Sequence, residues 1–203
     1  MIEALRAALH LPRGRHLIAV AGAPASGKSH FAERFVHELN TSGRSAQVVP
    51  MDGFHLDNAI LDARGDRTRK GAPHTFDLRG FARLLGDMRD GGAVVYPLFD
   101  RSRDIAVAGA AELRSETDLV VVEGNYLLYD APGWRDLAPL WSLSIRLDVP
   151  IATLRARLMQ RWRQHGLDGE AAYAKMHSND LPNAQDIAAH PLPATFTIKT
   201  APQ

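Results

Sequence analysis

Short apolar runs alternate with amphipathic stretches along most of the chain. Residues 16–21 (HLIAVA) are almost continuously apolar, which predicts a strand buried on both faces. A glycine turn follows, and residues 28–39 then place apolar side chains at helical spacing. Residues 47–51 predict a second strand, 93–96 a third, 119–122 a fourth and 143–147 a fifth, while 81–88 fit part of a helix. Pro150 stands where a first-turn proline opens a helix reaching about residue 164. Apolar strands separated by helices predict an α/β fold, a parallel five-stranded sheet with helices on both faces. Residues 62–75 carry four Lys/Arg, two glycines and a proline, and predict a loop. Residues 1–10 predict a short amphipathic surface helix ending near Pro12-Arg13-Gly14. No repeat, low-complexity tract or linker interrupts the chain, so residues 1–203 are expected to form one domain.

Composition narrows the class of function only by exclusion. Lys+Arg number 24 against 23 Asp+Glu, a formal net charge of +1, so bulk charge offers no case for nucleic acid or an anionic membrane. The absence of cysteine excludes disulfides, thiolate metal sites, a cysteine nucleophile and thiol-based redox control. Glu3 and Arg6 interrupt the N-terminal stretch, which lacks the apolar core of a signal peptide. No run approaches the roughly 18 apolar residues of a membrane span. These features point to a cytoplasmic protein.

The chemistry begins at Gly22-Ala-Pro-Ala-Ser-Gly27-Lys28-Ser29, a complete G-x-x-x-x-G-K-[ST] between an apolar strand and a helix. Glycines there let backbone N–H groups turn inward, and the helix N-terminus adds its positive dipole end. Gly22, Ala25, Ser26, Gly27, Lys28, Ser29 and His30 are therefore the candidate phosphate-binding residues of an ATP site. Lys28 would reach the β/γ-phosphates, and Ser29 would place its hydroxyl on Mg²⁺. Two acidic residues, Asp52 and Glu123, end other apolar strands and each precedes a glycine, so both are expected in the same cleft. One carboxylate can orient Mg²⁺ through water while the other takes a proton from an attacking hydroxyl. A basic cluster at Arg155, Arg157, Arg161 and Arg163 fits a mobile lid over about 157–172 that neutralises a migrating phosphoryl group. The guanine-reading N-K-x-D of switch proteins is missing, and no His/Asp/Glu set has the spacing of a zinc or iron site.

These motifs, with Met51-Asp-Gly-Phe-His-Leu-Asp-Asn58, Arg69-Lys-Gly-Ala-Pro-His-Thr-Phe-Asp77, Tyr96-Pro-Leu-Phe-Asp-Arg-Ser-Arg103, Val122-Glu-Gly-Asn-Tyr-Leu-Leu128 and Ser178-Asn-Asp-Leu-Pro-Asn183, resemble the P-loop kinases of the uridine kinase/phosphoribulokinase/pantothenate kinase family. The resemblance implies a three-layer P-loop NTPase fold with a short helical lid. It implies Asp52 as general base, Glu123 near the metal and acceptor, and Arg157 and Arg161 in the lid. Tyr96, Phe99 and Arg101 would fall in the acceptor pocket, joined by His55, Lys70 and Asn125. Asn179, Asp180 and Asn183 either cap short helices or serve the nucleotide. The chain departs from uridine kinases, which usually show Asp-Ser-Phe-Tyr where Asp52-Gly-Phe-His stands, and it is shorter than pantothenate kinases. The expected activity is ATP-dependent phosphorylation of a hydroxyl on a small metabolite: a sugar, a nucleoside or a pantothenate-like acceptor. A dedicated sugar kinase and a nucleotide-binding regulatory ATPase are the alternatives. The expected partner is the small-molecule acceptor, without nucleic acid or membrane, and with a homodimer left open.

Overall fold

The computed structural model describes Leu5 and residues 11–164 and 166–200; the helix expected over residues 1–10 otherwise lies outside them. A parallel sheet of five strands runs β2-β5-β1-β6-β7, formed by β1 (His16–Gly22), β2 (Ala46–Pro50), β5 (Leu119–Gly124), β6 (Leu143–Asp148) and β7 (Phe196–Lys199). A separate antiparallel pair, β3 (Val94–Asp100) and β4 (Ile105–Leu113), forms a hairpin.

Side chains alternate across the central strands and so feed two cores. Leu17, Ala19 and Ala21 of β1 join Val120 and Val122 of β5 on one face, under Phe81, Leu85 and Met88. Those three come from α3 (Leu78–Asp90), where they recur at helical spacing, and the Asp77 carboxylate caps that helix by accepting from Gly80 N–H. Ile18 and Val20 face the other way with Val121 and Ile145, against Phe31, Ala32, Phe35 and Leu39 of α1 (Lys28–Thr41). Both faces are thus covered, which is why β1 after His16 and β5 before Glu123 are wholly apolar.

The structure corrects the membership of the sheet. The run at 93–96 does not enter it but leads into β3, where Pro97 falls at a shift in register of the two-stranded ladder. The fifth place is taken by β7, an edge strand alternating half-buried and exposed side chains. Residues 62–75 are not a plain loop. They include the end of α2 (Asn58–Arg64) and short 3₁₀ turns at Arg67–Arg69 and Pro73–Thr75. The predicted helix after Pro150 is α4 (Ile151–Gln164), one residue later, with the Pro150 carbonyl accepting from Leu154 N–H. Beyond it come α5 (Gly169–Lys175), a π-helical turn at Met176–Asp180 and α6 (Leu181–Ala189). No described helix is long and apolar enough to cross a membrane.

Candidate active site

Strand register brings the chemistry to one end of the sheet. Ala21 pairs with Gly124, and Pro50 with Glu123, so the phosphate loop, the turn at 51–54 and the segment after β5 leave the sheet side by side. Gly27 takes φ +89°, a left-handed conformation that lets the loop turn directly into α1. Gly53 answers a different demand: a Cβ there would lie 2.2 Å from the Pro97 carbonyl oxygen. The β3–β4 hairpin therefore rests on the turn that carries Asp52.

A cleft of ≈ 420 Å³ opens at this end. It gathers eight predicted residues: Lys28, Asp52, His55, Lys70, Phe99, Arg101, Asn125 and Arg161. Asp52 sits at its centre and pairs with Arg101, whose Nη2 donates to Oδ2 at 2.6 Å. Burial alone would raise the Asp52 pKa, but Lys28, His55, Arg101 and Arg161 outweigh it and hold the carboxyl below its usual value. Arg161 is half-buried, and its pKa is lowered by that burial and by repulsion from Arg101. It has no ion-pair partner among the described residues.

Glu123 is buried, at 5% exposure, and its pKa is raised mainly by that burial. Ser29 Oγ donates to its Oε1 at 3.1 Å, while Oε2 has no partner. An orphaned carboxylate oxygen beside a loop hydroxyl is a donor set that suits a hard cation such as Mg²⁺. Among the described residues no cluster of three or more His, Cys, Asp or Glu could hold a metal by itself.

Several predicted residues stand elsewhere or serve otherwise. Tyr96 is core: it is buried, donating to the Val48 carbonyl and accepting from Gln47. Lys70 spends its ammonium within the protein, on Asn58 Oδ1 at 2.7 Å, the Asp104 carbonyl at 2.7 Å and Asp104 Oδ1 at 3.0 Å. Three acceptors match its three N–H donors. Arg157 turns onto the outside of the phosphate loop, toward the Ala25 and Ser26 carbonyls at 3.5 and 3.4 Å. Gly22 closes β1, the Ser26 hydroxyl is buried without a partner, and His30 is exposed in the first turn of α1.

The cleft also contains Arg67, Asp104, Trp162 and Lys175, which sequence reasoning missed. Trp162 and Asp104 each adjoin a quoted motif, so position alone could have flagged them; Arg67 and Lys175 carry no such signal. Asn179, Asp180 and Asn183 line it as well. Asn179 Nδ2 donates to the Lys70 carbonyl, Asn183 Nδ2 to Asn179 Oδ1, and Arg69 to Asn183 Oδ1. These bonds tie the π-helical turn to the loop at 69–71. Trp162 Nε1 donates to Asp180 Oδ2 at 2.6 Å, so α4 is fastened to the same turn.

Comparison with known proteins agrees with this geometry. The family model described as Phosphoribulokinase / Uridine kinase family matches residues 17–187. A solved structure from Silicibacter sp. TM1040, provisionally named a fructose transport system kinase, is 53% identical with a TM-score of 0.92, over 97% of this chain and 96% of that one. The uncharacterised Escherichia coli protein YggC is 32% identical over 190 residues, 93% of this chain and 79% of its own. A pantothenate kinase from Leifsonia xyli is 33% identical over 154 residues, 73% of this chain and 46% of its own. A match running from the first strand into the last helix, on a sheet whose carboxyl end bears the phosphate loop, means that the chain belongs to the phosphoribulokinase/uridine kinase family and is a P-loop kinase, an ATP-dependent phosphotransferase.

Proposed function

We propose that the acceptor is a small metabolite whose hydroxyl attacks the γ-phosphorus of ATP from the Asp52 side of the cleft. The observation that carries this is the ionised Asp52 carboxylate, lining one cleft with Lys28 and Arg161. Asp52 takes the hydroxyl proton as the oxygen attacks in line. Lys28 and the loop N–H groups hold the β/γ-phosphates, and Arg161 meets charge on the migrating phosphoryl. Ser29 and Glu123 would hold Mg²⁺, which supplies neutralisation of the phosphate oxygens. Residues 157–172 act as the lid, with Arg157 bracing the phosphate loop from behind. The enzyme works in the cytoplasm on a small-molecule acceptor, without nucleic acid or membrane.

A coupled ATP-consumption assay across sugars, nucleosides, pantothenate and ribulose 5-phosphate tests the reading. Asp52→Asn should bind ATP as the wild type does and lose about 10²- to 10⁴-fold in kcat. Near-wild-type turnover would remove Asp52 from the base role. ATP hydrolysis indifferent to every acceptor, yet stimulated by a protein partner, would favour a regulatory ATPase. The Silicibacter neighbour's name supports the sugar arm as a second reading.

A further inference from the structure

The joint between the loop at 69–71 and the π-helical turn is polar where its surroundings are not. Asn179 and Asn183 are each 3% exposed, among the buried apolar side chains of Met176, Leu181 and Ala184. A proline makes room for one of the bonds. Pro182 has no N–H, so the Ser178 carbonyl lacks the donor that a regular helix supplies four residues on. Arg69 Nη1 donates to it at 2.7 Å, across 109 residues of sequence, and Nη2 donates to Asn183 Oδ1 at 3.0 Å. Asn183 Nδ2 in turn donates to Asn179 Oδ1 at 3.2 Å, and Asn179 Nδ2 to the Lys70 carbonyl at 2.7 Å. Polar bonds of this kind fix one register, yet they can part at modest cost where water replaces them.

The two sides of the joint carry different halves of the cleft. On the lid side, Trp162 Nε1 holds Asp180 Oδ2 at 2.6 Å, which ties the π-helical turn to α4 and its Arg161. On the other side, the Lys70 ammonium holds Asp104 at the hairpin turn, and Arg101 of the hairpin holds Asp52. A continuous run of hydrogen bonds and short chain segments thus leads from the helix bearing Arg161 to the carboxylate that takes the proton. Arg69 closes the joint from outside, because the cleft is lined by its neighbours Arg67, Lys70 and Gly71 instead.

Resting on the phosphotransfer reading, we infer that Arg69, Asn179 and Asn183 are positioning residues that couple the two substrates of the reaction. With the joint closed, Arg161 and Asp52 face one cleft. Nucleotide under the lid and acceptor at Asp52 then each favour the closed joint, and each tightens the binding of the other. With the joint parted, lid and hairpin form separate walls, and neither ligand gains from the presence of its partner. The effect is a coupling free energy and is therefore reciprocal.

The first arm of the test needs no acceptor. Amide exchange is followed in the wild type and in Arg69→Met, with and without the magnesium complex of AMP-PNP, an ATP analogue that transfers no phosphoryl group. In the wild type the nucleotide should slow exchange in the phosphate loop and, across the joint, at residues 67–76. In Arg69→Met the phosphate loop should respond as before, which also shows that the variant folds, while the slowing at 67–76 is lost. No slowing at 67–76 in the wild type, or slowing that survives in the variant, overturns the inference. The second arm measures by calorimetry the Kd of the best acceptor from the coupled assay, with and without the same nucleotide complex. The nucleotide should tighten the acceptor about tenfold in the wild type and about twofold or less in Arg69→Met and Asn183→Leu. A merely structural role would weaken both Kd values together and keep their ratio, and a ratio unchanged in both variants overturns the inference as well. Exchange coupled across the joint, with no acceptor phosphorylated, would count against phosphotransfer alone and leave the coupling standing.

Discussion

At Asp52, Lys28, His55, Arg101 and Arg161 outweigh the cost of burial and keep the carboxyl ionised below its usual range. Arg101 is the neighbour whose removal reports on this balance, because it touches Oδ2 from an exposed position on the hairpin. Taking away a positive charge destabilises the carboxylate and raises its pKa. In Arg101→Ala the acid limb of the kcat/KM profile should therefore move to higher pH, with the plateau lowered as well. An unmoved limb would show that Arg101 does not set the state of the base. That Lys28 and Asp52 would face one cleft was legible, because a phosphate loop and a strand-end acid constrain their surroundings through local geometry. The roles of Tyr96 and Lys70 were not, because their partners, Val48 and Asp104, lie far away in sequence.

Among the elements, the β3–β4 hairpin controls the acceptor half of the cleft, since it carries both Phe99 and Arg101. Its turn places Asp104 at φ +56°, a left-handed conformation unusual for a non-glycine residue. Lys70 and Asn58 hold that turn through the Asp104 carbonyl and carboxylate. Lys70 is thus a positioning residue that fixes the hairpin to the loop at 67–71. Lys70→Met should raise the KM for the acceptor about tenfold, in line with the loss of one or two charge-assisted bonds, and leave the KM for ATP unchanged. Amide exchange in the hairpin should quicken in the same variant without ligand. An unchanged exchange rate would show that Lys70 does not hold the hairpin. The first strand of this hairpin reads in sequence like a sheet strand, because a short apolar run looks the same whether it pairs in a central sheet or apart from it. The fifth sheet strand, β7, alternates over only four residues, too few for its period to stand out.

For the molecule as a whole, ligand binding should appear as stability. A nucleotide that binds only the folded state adds about 2.7 kcal/mol when present at about 100 times its Kd. For a chain of 203 residues that corresponds to a rise in Tm of about 5–10 °C with MgATP. Lys28→Ala should lose most of that rise while keeping its own unliganded Tm close to wild type; a full rise in the variant would place the triphosphate elsewhere. The α/β class, the phosphate loop and the strand-end acids followed from the sequence by itself, because each rests on local periodicity or on a motif whose geometry a few adjacent residues dictate. Tertiary structure alone decided which strands share the sheet, which of the lid arginines enters the cleft, and that Lys70 spends its donors inside the protein. Those outcomes depend on contacts between segments far apart in the chain, where the partner atom rather than the residue type determines the role.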